Sequence, residues 1–425
     1  MFIVYAKAGV SLALVLALGI AFGQRRRLEV MLASNRPWLF GFWLLLRLVP
    51  FLVVYVLLDY RPQSDVSEYY YPIGRAAATG KTMYRDVYCP YSPLFGYYLA
   101  LPLRLWNDSR VIVLLMTVFE ALAVWLTYRL VPTNEDRGRR LFRGLVYYLL
   151  PVPFVFCILS GQEDVTLWIF ALLAGGAIAE GQSYRAGLWF ALGLLSTKAI
   201  LVLLVVPLFF GAKDKGRFVA GCVTLGLPVL VYLYVQTGDL FLKQPLEEGR
   251  LLKAPNLRSV LAPFVGEGIN RTVAYENYAG LLLTGLASFW LVRTARPVDY
   301  RRYVALVYIF IFSLMTVVQH NAISNYAYLF MLPLVFVMPS PERARPWGAL
   351  LAFNVLAAVH PSLWWRIGMP FFYGFDQLRR PVDWLDYGIE VLLVAGFAGI
   401  AYASARALRA GVPTRPLTPV RAPGV

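Results

Sequence analysis

Groups that bind metals or nucleotides are scarce in this chain. It has two histidines and three cysteines in 425 residues. Cys89, Cys157 and Cys222 share no metal-ligand spacing and offer no disulfide framework. There is no Walker A loop, no Gly-x-Ser-x-Gly elbow, no GxGxxG and no His/Cys pair at zinc spacing, so no recognisable device binds a nucleotide or a metal. Charge is sparse as well, at 15% against 59% hydrophobic residues, and apolar runs near membrane-spanning length recur throughout. That balance excludes an ordinary soluble domain. The net charge is +16. On a soluble protein it would suggest nucleic acid; here it is explained by cytoplasmic loops and anionic headgroups, and no nucleic-acid partner is expected.

The apolar runs predict an all-α, polytopic transmembrane bundle with 11–13 membrane segments. One integral-membrane domain covers 1–408, followed by a basic, Pro-rich cytoplasmic tail at 409–425. The first run, 2–23, leads directly into Gln24-Arg25-Arg26-Arg27 without a polar cleavage region, which predicts a retained span. With those arginines inside, 38–58 returns to the outer face and 59–108 becomes the first external loop. This loop is expected to carry an interfacial helix over 65–71, stopped near Gly80, and a second amphipathic piece over 93–106. Further external loops are expected at 237–278 and 361–386.

Counting spans from both ends places Arg185 on the same, cytoplasmic side as Lys213, Lys215 and Arg217. The run 186–210 must then cross an even number of times. It has about 25 residues, too few for two full spans. A re-entrant pair of short helices resolves the conflict and puts Ser196-Thr197-Lys198 at its tip. The competing reading is one long span with a snorkelling lysine.

This topology gathers polar residues at the outer face. Asp65 opens the first loop, Gln162, Glu163 and Asp164 cap a short turn, Lys198 occupies the hairpin tip, and His320 ends a span. A carboxylate near a lysine and a histidine suits removal of a hydroxyl proton beside a phosphate leaving group. Each residue also has an ordinary explanation. Asp65 can be the N-cap of the following helix. Glu163 and Asp164 can be loop-end acids, Asp86 can pair with the adjacent Arg85, and His320 can be structural. The loop tyrosines suit an interfacial belt; Tyr69 and Tyr91, with Asp86, are the substrate-contact candidates among these loop residues. His360 stands at another external boundary without further support.

Four stretches carry a family resemblance. SDVSEYYYPIGRAAATGKTMYRDVYCPYSPLFGYY and SGQEDVTLWIFALLAGGAIAEGQSYRAGLWFALGLLSTKAILVLLVVPLFF are the stronger; APNLRSVLAPFV and HNAISNYAYLFMLPLVF are weaker. The pattern resembles the GT-C superfamily of integral-membrane glycosyltransferases, most closely glycosyltransferase family 87, whose members use polyprenyl-phosphate mannose. The resemblance implies a GT-C-type bundle in the cytoplasmic membrane with its active site facing outward. It makes Asp65 the base that deprotonates the acceptor, Lys198 and His320 donor-phosphate contacts, and Gln162 a cavity-lining residue. It also implies an inverting reaction with a polyprenyl-phosphate sugar as donor, a glycolipid or other glycan as acceptor, no cofactor and no obligatory metal. Glu163-Asp164 departs from the family pattern, where uncharged polar residues are commoner, and the first span is additional.

The expected activity is therefore transfer of a hexose, mannose by the resemblance, to an acceptor at the outer face. Transfer of another sugar, as in lipid A or protein O-glycosylation enzymes, is the alternative within this class. A lipid-sugar transporter is the alternative outside it. A transporter would call for matching halves and polar groups reaching both faces, and neither is evident in the sequence.

Overall fold

In hydrocarbon a backbone amide finds no water, so chain that crosses a membrane must close its hydrogen bonds internally, as helix. The computed structural model, which describes residues 2–132, 135–295, 299–338 and 344–411, follows that rule. Among the described residues there is no strand, only an isolated bridge between Met83 and Val87. Thr133, Arg296, Arg343 and the tail beyond Gly411 lie outside the described residues.

Seven helices are long and apolar enough to span: Ile3–Gly23, Trp38–Leu57, Arg110–Leu130, Lys215–Thr237, Tyr300–Val318, Arg345–Arg366 and Pro381–Ala410. An eighth candidate is the pair Arg137–Leu149 and Pro151–Leu159, bent by 59°. The bend has a local cause. Pro151 disfavours helical backbone in the residue before it, and Leu150 is extended at ψ 139°. The chain is a polytopic helical membrane protein, with fewer full-length spans than the 11–13 expected segments. Several of the remaining segments are apolar helices of 10–17 residues, Val165–Ala179, Ala199–Gly211 and Ser324–Val337. At about 1.5 Å per residue these do not cross a bilayer unaided.

Burial sorts the helices into an inner and an outer set. The window of Tyr300–Val318 is 72% buried, whereas that of Lys215–Thr237 is 17% buried. The outer helices expose Leu12, Leu16, Ile20, Leu45, Val56, Leu227 and Val231. Water would not tolerate such a surface, and lipid requires it. Inside, Arg47 and Glu120 are fully buried and paired at 2.5 Å; Tyr147 also donates to Glu120 (3.0 Å), and Arg47 donates to the Tyr148 carbonyl (2.9 Å).

The segment 59–108, expected to be an external loop, is a folded layer. A π-helical turn, Val66–Tyr70, runs into a helix, Tyr71–Ala78, and Gly80 follows at φ +80°, matching the expected stop. The second amphipathic piece forms at Phe95–Leu105. The loop expected at 361–386 is much shorter. Helix Ala344–Arg366 continues through Pro361, and Pro381 starts the next helix at its first turn, with Asp383 and Arg380 forming the cap. The polar residues of 381–386 suggest a loop, but they belong to a helix that begins with its own start signal.

The run 186–210 does break where expected. Helix Ser183–Ser196 ends at Thr197 (φ −122°, ψ −110°), and a 3-10 turn, Ala199–Leu204, leads into Val205–Gly211. The two ends meet again, because the Asp214 amide donates to the Ser183 hydroxyl at 3.1 Å. The segment is thus a helical hairpin whose ends lie together and whose tip carries Lys198. It is braced by close packing against Lys215–Thr237. A Cβ on Gly187 would fall 2.1 Å from the Phe218 carbonyl oxygen, and one on Gly221 2.1 Å from that of Tyr184. Only glycine allows two backbones this near. Gly187→Val and Gly221→Val are each expected to cost about 1–3 kcal/mol or more by overpacking. Lower unfolding temperatures for both variants in detergent, with Gly226→Val unaffected because its Cβ meets open space, would test this.

Candidate active site

Three consecutive residues, Gln162, Glu163 and Asp164, join every element of the site. They occupy the turn between Pro151–Leu159 and Val165–Ala179. Helical hydrogen bonding ends irregularly there, with the Gln162 amide donating to the Phe156 carbonyl at 2.9 Å. Gly161 makes the turn possible on two counts. Its φ is +59°, and a Cβ there would sit 2.6 Å from the Val66 side chain. That close approach brings the turn against the residue next to Asp65. Gln162 Nε2 then donates to Asp65 Oδ2 at 2.9 Å.

Asp65 does not cap its helix. Its backbone is already helical, and its carboxylate makes no capping hydrogen bond. The amides of Ser67 and Glu68 bond instead to the Ser64 carbonyl, with Ser64 at φ +59°. The half-buried carboxylate of Asp65 is thus available to the site, oriented by Gln162.

Glu163 and Asp164 are fully buried and face the hairpin tip. Lys198 Nζ lies 3.0 Å from Glu163 Oε1 and 2.5 Å from Asp164 Oδ1. It also sits over the Tyr326 ring, 5.5 Å from the centroid. The second Glu163 oxygen accepts from the hydroxyl of buried Tyr70. Burial pushes the Asp164 carboxyl up to about 6, against the opposing pull of the Lys198 ammonium. The acids that depart from the family pattern are therefore the counter-charges of the lysine.

The hairpin break creates unpaired carbonyls, and the first loop fills them. The Leu94 amide donates to the Leu195 carbonyl at 2.8 Å and the Ser92 amide to that of Thr197 at 3.4 Å. Aromatic rings complete the wall: Tyr91 stacks on Phe95 at 4.5 Å and meets Tyr70 edge-on at 5.2 Å. Tyr69 packs on Tyr91 at 6.2 Å.

Two candidates make other contacts. Asp86 pairs with Arg85 at 2.9 Å and accepts from the Thr82 amide, and these contacts hold its carboxyl down at about 2. It is a turn residue bound to its local arginine. The His320 ring makes no hydrogen bond or ion pair with Asp65, Gln162 or Lys198 among the described residues. Burial lowers its pKa, so the ring is neutral at pH 7 and adds no positive charge. Its carbonyl does the positioning, accepting from the Lys253 amide (2.9 Å) and Asn256 Nδ2 (3.1 Å). The Asn-x-x-Ser element is a capping box on helix Leu257–Val265, closed by Asn256 and Ser259.

Sequence reasoning passed over Tyr70, Tyr326 and Lys253. Lys253 pairs with Glu248 at 2.8 Å and lies within electrostatic reach of Asp65 and Tyr326. Tyr70 and Tyr326 are single members of a set of 27 tyrosines, and Lys253 is one of many loop cations; no local signal distinguishes them. No family model matches the chain, and no curated protein matches it.

Two outcomes are expected from the buried charges. Lys198→Met leaves two carboxylates unpaired and should cost about 3–5 kcal/mol, whereas adding Glu163→Gln and Asp164→Asn should restore most of it. Thermal unfolding of the three proteins measures both. The raised Asp164 pKa also gives a pH signature. The folded state holds this proton more tightly than the unfolded chain, so its stabilising contribution is fully present below 3.8 and lost as pH rises through about 6. Asp164→Asn should flatten the stability profile across that window.

Proposed function

We propose that this protein is a membrane glycosyltransferase that moves a hexose from a polyprenyl-phosphate donor to a glycolipid or other glycan acceptor at the outer face of the cytoplasmic membrane. The observation that carries the reading is the Asp65–Gln162 hydrogen bond, one residue along the chain from the Glu163–Asp164–Lys198 cluster. It joins a carboxylate oriented toward the site to a cation held at the tip of a hairpin. The resemblance to glycosyltransferase family 87 supplies the donor class, and mannose as the sugar.

In this reading Asp65 takes the proton of the acceptor hydroxyl as that oxygen bonds to the anomeric carbon. The bond from this carbon to the phosphate oxygen breaks with inversion, and polyprenyl phosphate leaves with the electron pair. Gln162 keeps one Asp65 oxygen engaged and so aims the other. Lys198, with Lys253 nearby, offsets charge on the departing phosphate. Glu163 and Asp164 hold the Lys198 ammonium at a fixed point, which favours a rigid electrostatic site over a mobile one. Tyr69, Tyr91 and Tyr326 present ring faces and hydroxyls suited to a sugar. His320 contributes through its backbone, by seating Lys253.

Polyprenyl-phosphate [³H]mannose and a glycolipid extract, presented to the protein in nanodiscs, test the proposal. Asp65→Asn keeps the shape of the side chain and removes the base, so transfer should fall by about 10²–10⁴-fold with little change in unfolding temperature. Equal transfer by wild type and a folded Asp65→Asn protein would exclude Asp65 as the base. Wild-type failure to label any acceptor, coupled with movement of the lipid-sugar across sealed vesicles, would favour transport.

A further inference from the structure

A second cluster of buried polar side chains lies outside the proposed active site. His360, on helix Ala344–Arg366, faces Asp386 and Glu390, one turn apart on helix Pro381–Ala410. All three are buried, and one potential ligand atom from each lies within 4.8 Å of the others. His360 Nε2 stands 3.6 Å from Asp386 Oδ1, too far for a hydrogen bond. Neither that nitrogen nor either Asp386 oxygen has a hydrogen-bond partner. No lysine or arginine pairs with Asp386 or Glu390 among the described residues; Arg380 is engaged with Asp383, and Arg258 with Glu276.

The tautomer of His360 sharpens the point. Ser324 donates its one hydroxyl hydrogen to the Ala357 carbonyl at 3.2 Å. Its oxygen can then only accept from His360 Nδ1, 3.4 Å away. That arrangement puts the proton on Nδ1 and turns the Nε2 lone pair toward a carboxylate oxygen. Two lone pairs facing each other in a buried, unpaired setting repel unless something positive lies between them. A metal-ligating histidine usually has its remote N–H fixed by a hydrogen bond, as here.

We infer that His360, Asp386 and Glu390 form a divalent-cation site, taking an ion that accepts one imidazole nitrogen and two carboxylate oxygens, such as Zn²⁺ or Mn²⁺. Bonds of 2.0–2.1 Å in tetrahedral geometry put neighbouring ligand atoms about 3.3 Å apart, close to the His360–Asp386 separation. A 2+ ion balances the two carboxylates and, unlike a proton on each, is shared with the imidazole nitrogen. The role is structural. The ion ties Ala344–Arg366 to Pro381–Ala410, and through Ser324 it steadies the short turn Ser324–Tyr326, whose last residue lies over Lys198.

The test uses the full chain in detergent, stripped with chelator and then given Zn²⁺ or Mn²⁺ with excess ion removed. Bound metal is read by elemental analysis and stability by thermal unfolding. Wild type should retain about one equivalent of at least one of the two ions and unfold several degrees higher with it than without. Asp386→Asn and Glu390→Gln, both near-isosteric, should lose the ion and the thermal shift together, and they replace His360→Ala if that variant does not fold. Retention by wild type of less than about a tenth of an equivalent of both ions, with no thermal shift, would overturn the inference. So would undiminished metal binding by both carboxamide variants.

Discussion

A charged lysine at the tip of a hairpin inside an apolar bundle has to find counter-charge, and much of the site follows from that need. Lys198 finds it in Glu163 and Asp164. An isolated buried charge costs several kcal/mol, so the hairpin and the 160–164 turn are held to one relative position. That position sets Gln162 on Asp65 and Glu163 on Tyr70. The break that exposes Lys198 also frees backbone carbonyls, and the amides of Ser92 and Leu94 take them up. The same irregularity that presents the cation thus docks the segment that carries Ser92 and Leu94.

Close backbone approach makes this assembly possible. Gly187 and Gly221 let the hairpin lie directly against Lys215–Thr237, and Gly161 lets the acidic turn lie against Val66. At each of these places a side chain would clash unless its neighbour shifted. Comparable approaches occur elsewhere, as where a Cβ on Gly138 would fall 2.1 Å from the Glu29 carbonyl oxygen. The interior also relies on apolar packing and on the buried Arg47–Glu120 pair.

Much of the architecture could be read from the sequence because a bilayer limits the possibilities. Helix Phe2–Gly23 matches expectation, and Trp38–Leu57 lies within one residue of it. The break at Lys198 followed from a count of cytoplasmic cations rather than from any local signal. The reading failed where a polar segment was taken for loop. Residues 381–386 start a 30-residue helix, because Pro381 and the Asp383 cap outweigh the polarity of the segment. Asp65 as a helix cap was a reasonable local expectation, and the tertiary contact with Gln162 replaced it.

Composition and periodicity alone determined that this chain is a helical membrane protein, which segments are apolar, and that Asp65, Gln162 and Lys198 stand at the ends of such segments. Those properties are local, and hydropathy and charge express them directly. Only the tertiary structure decided that Lys198 is shared by two acids, that Asp86 pairs with Arg85, and that the His320 carbonyl accepts from Lys253 and Asn256. It also brought His360 to Asp386 and Glu390, residues on two different helices. Such pairings depend on helix rotation and crossing, which arise from packing over the whole bundle and leave no signature at any one position.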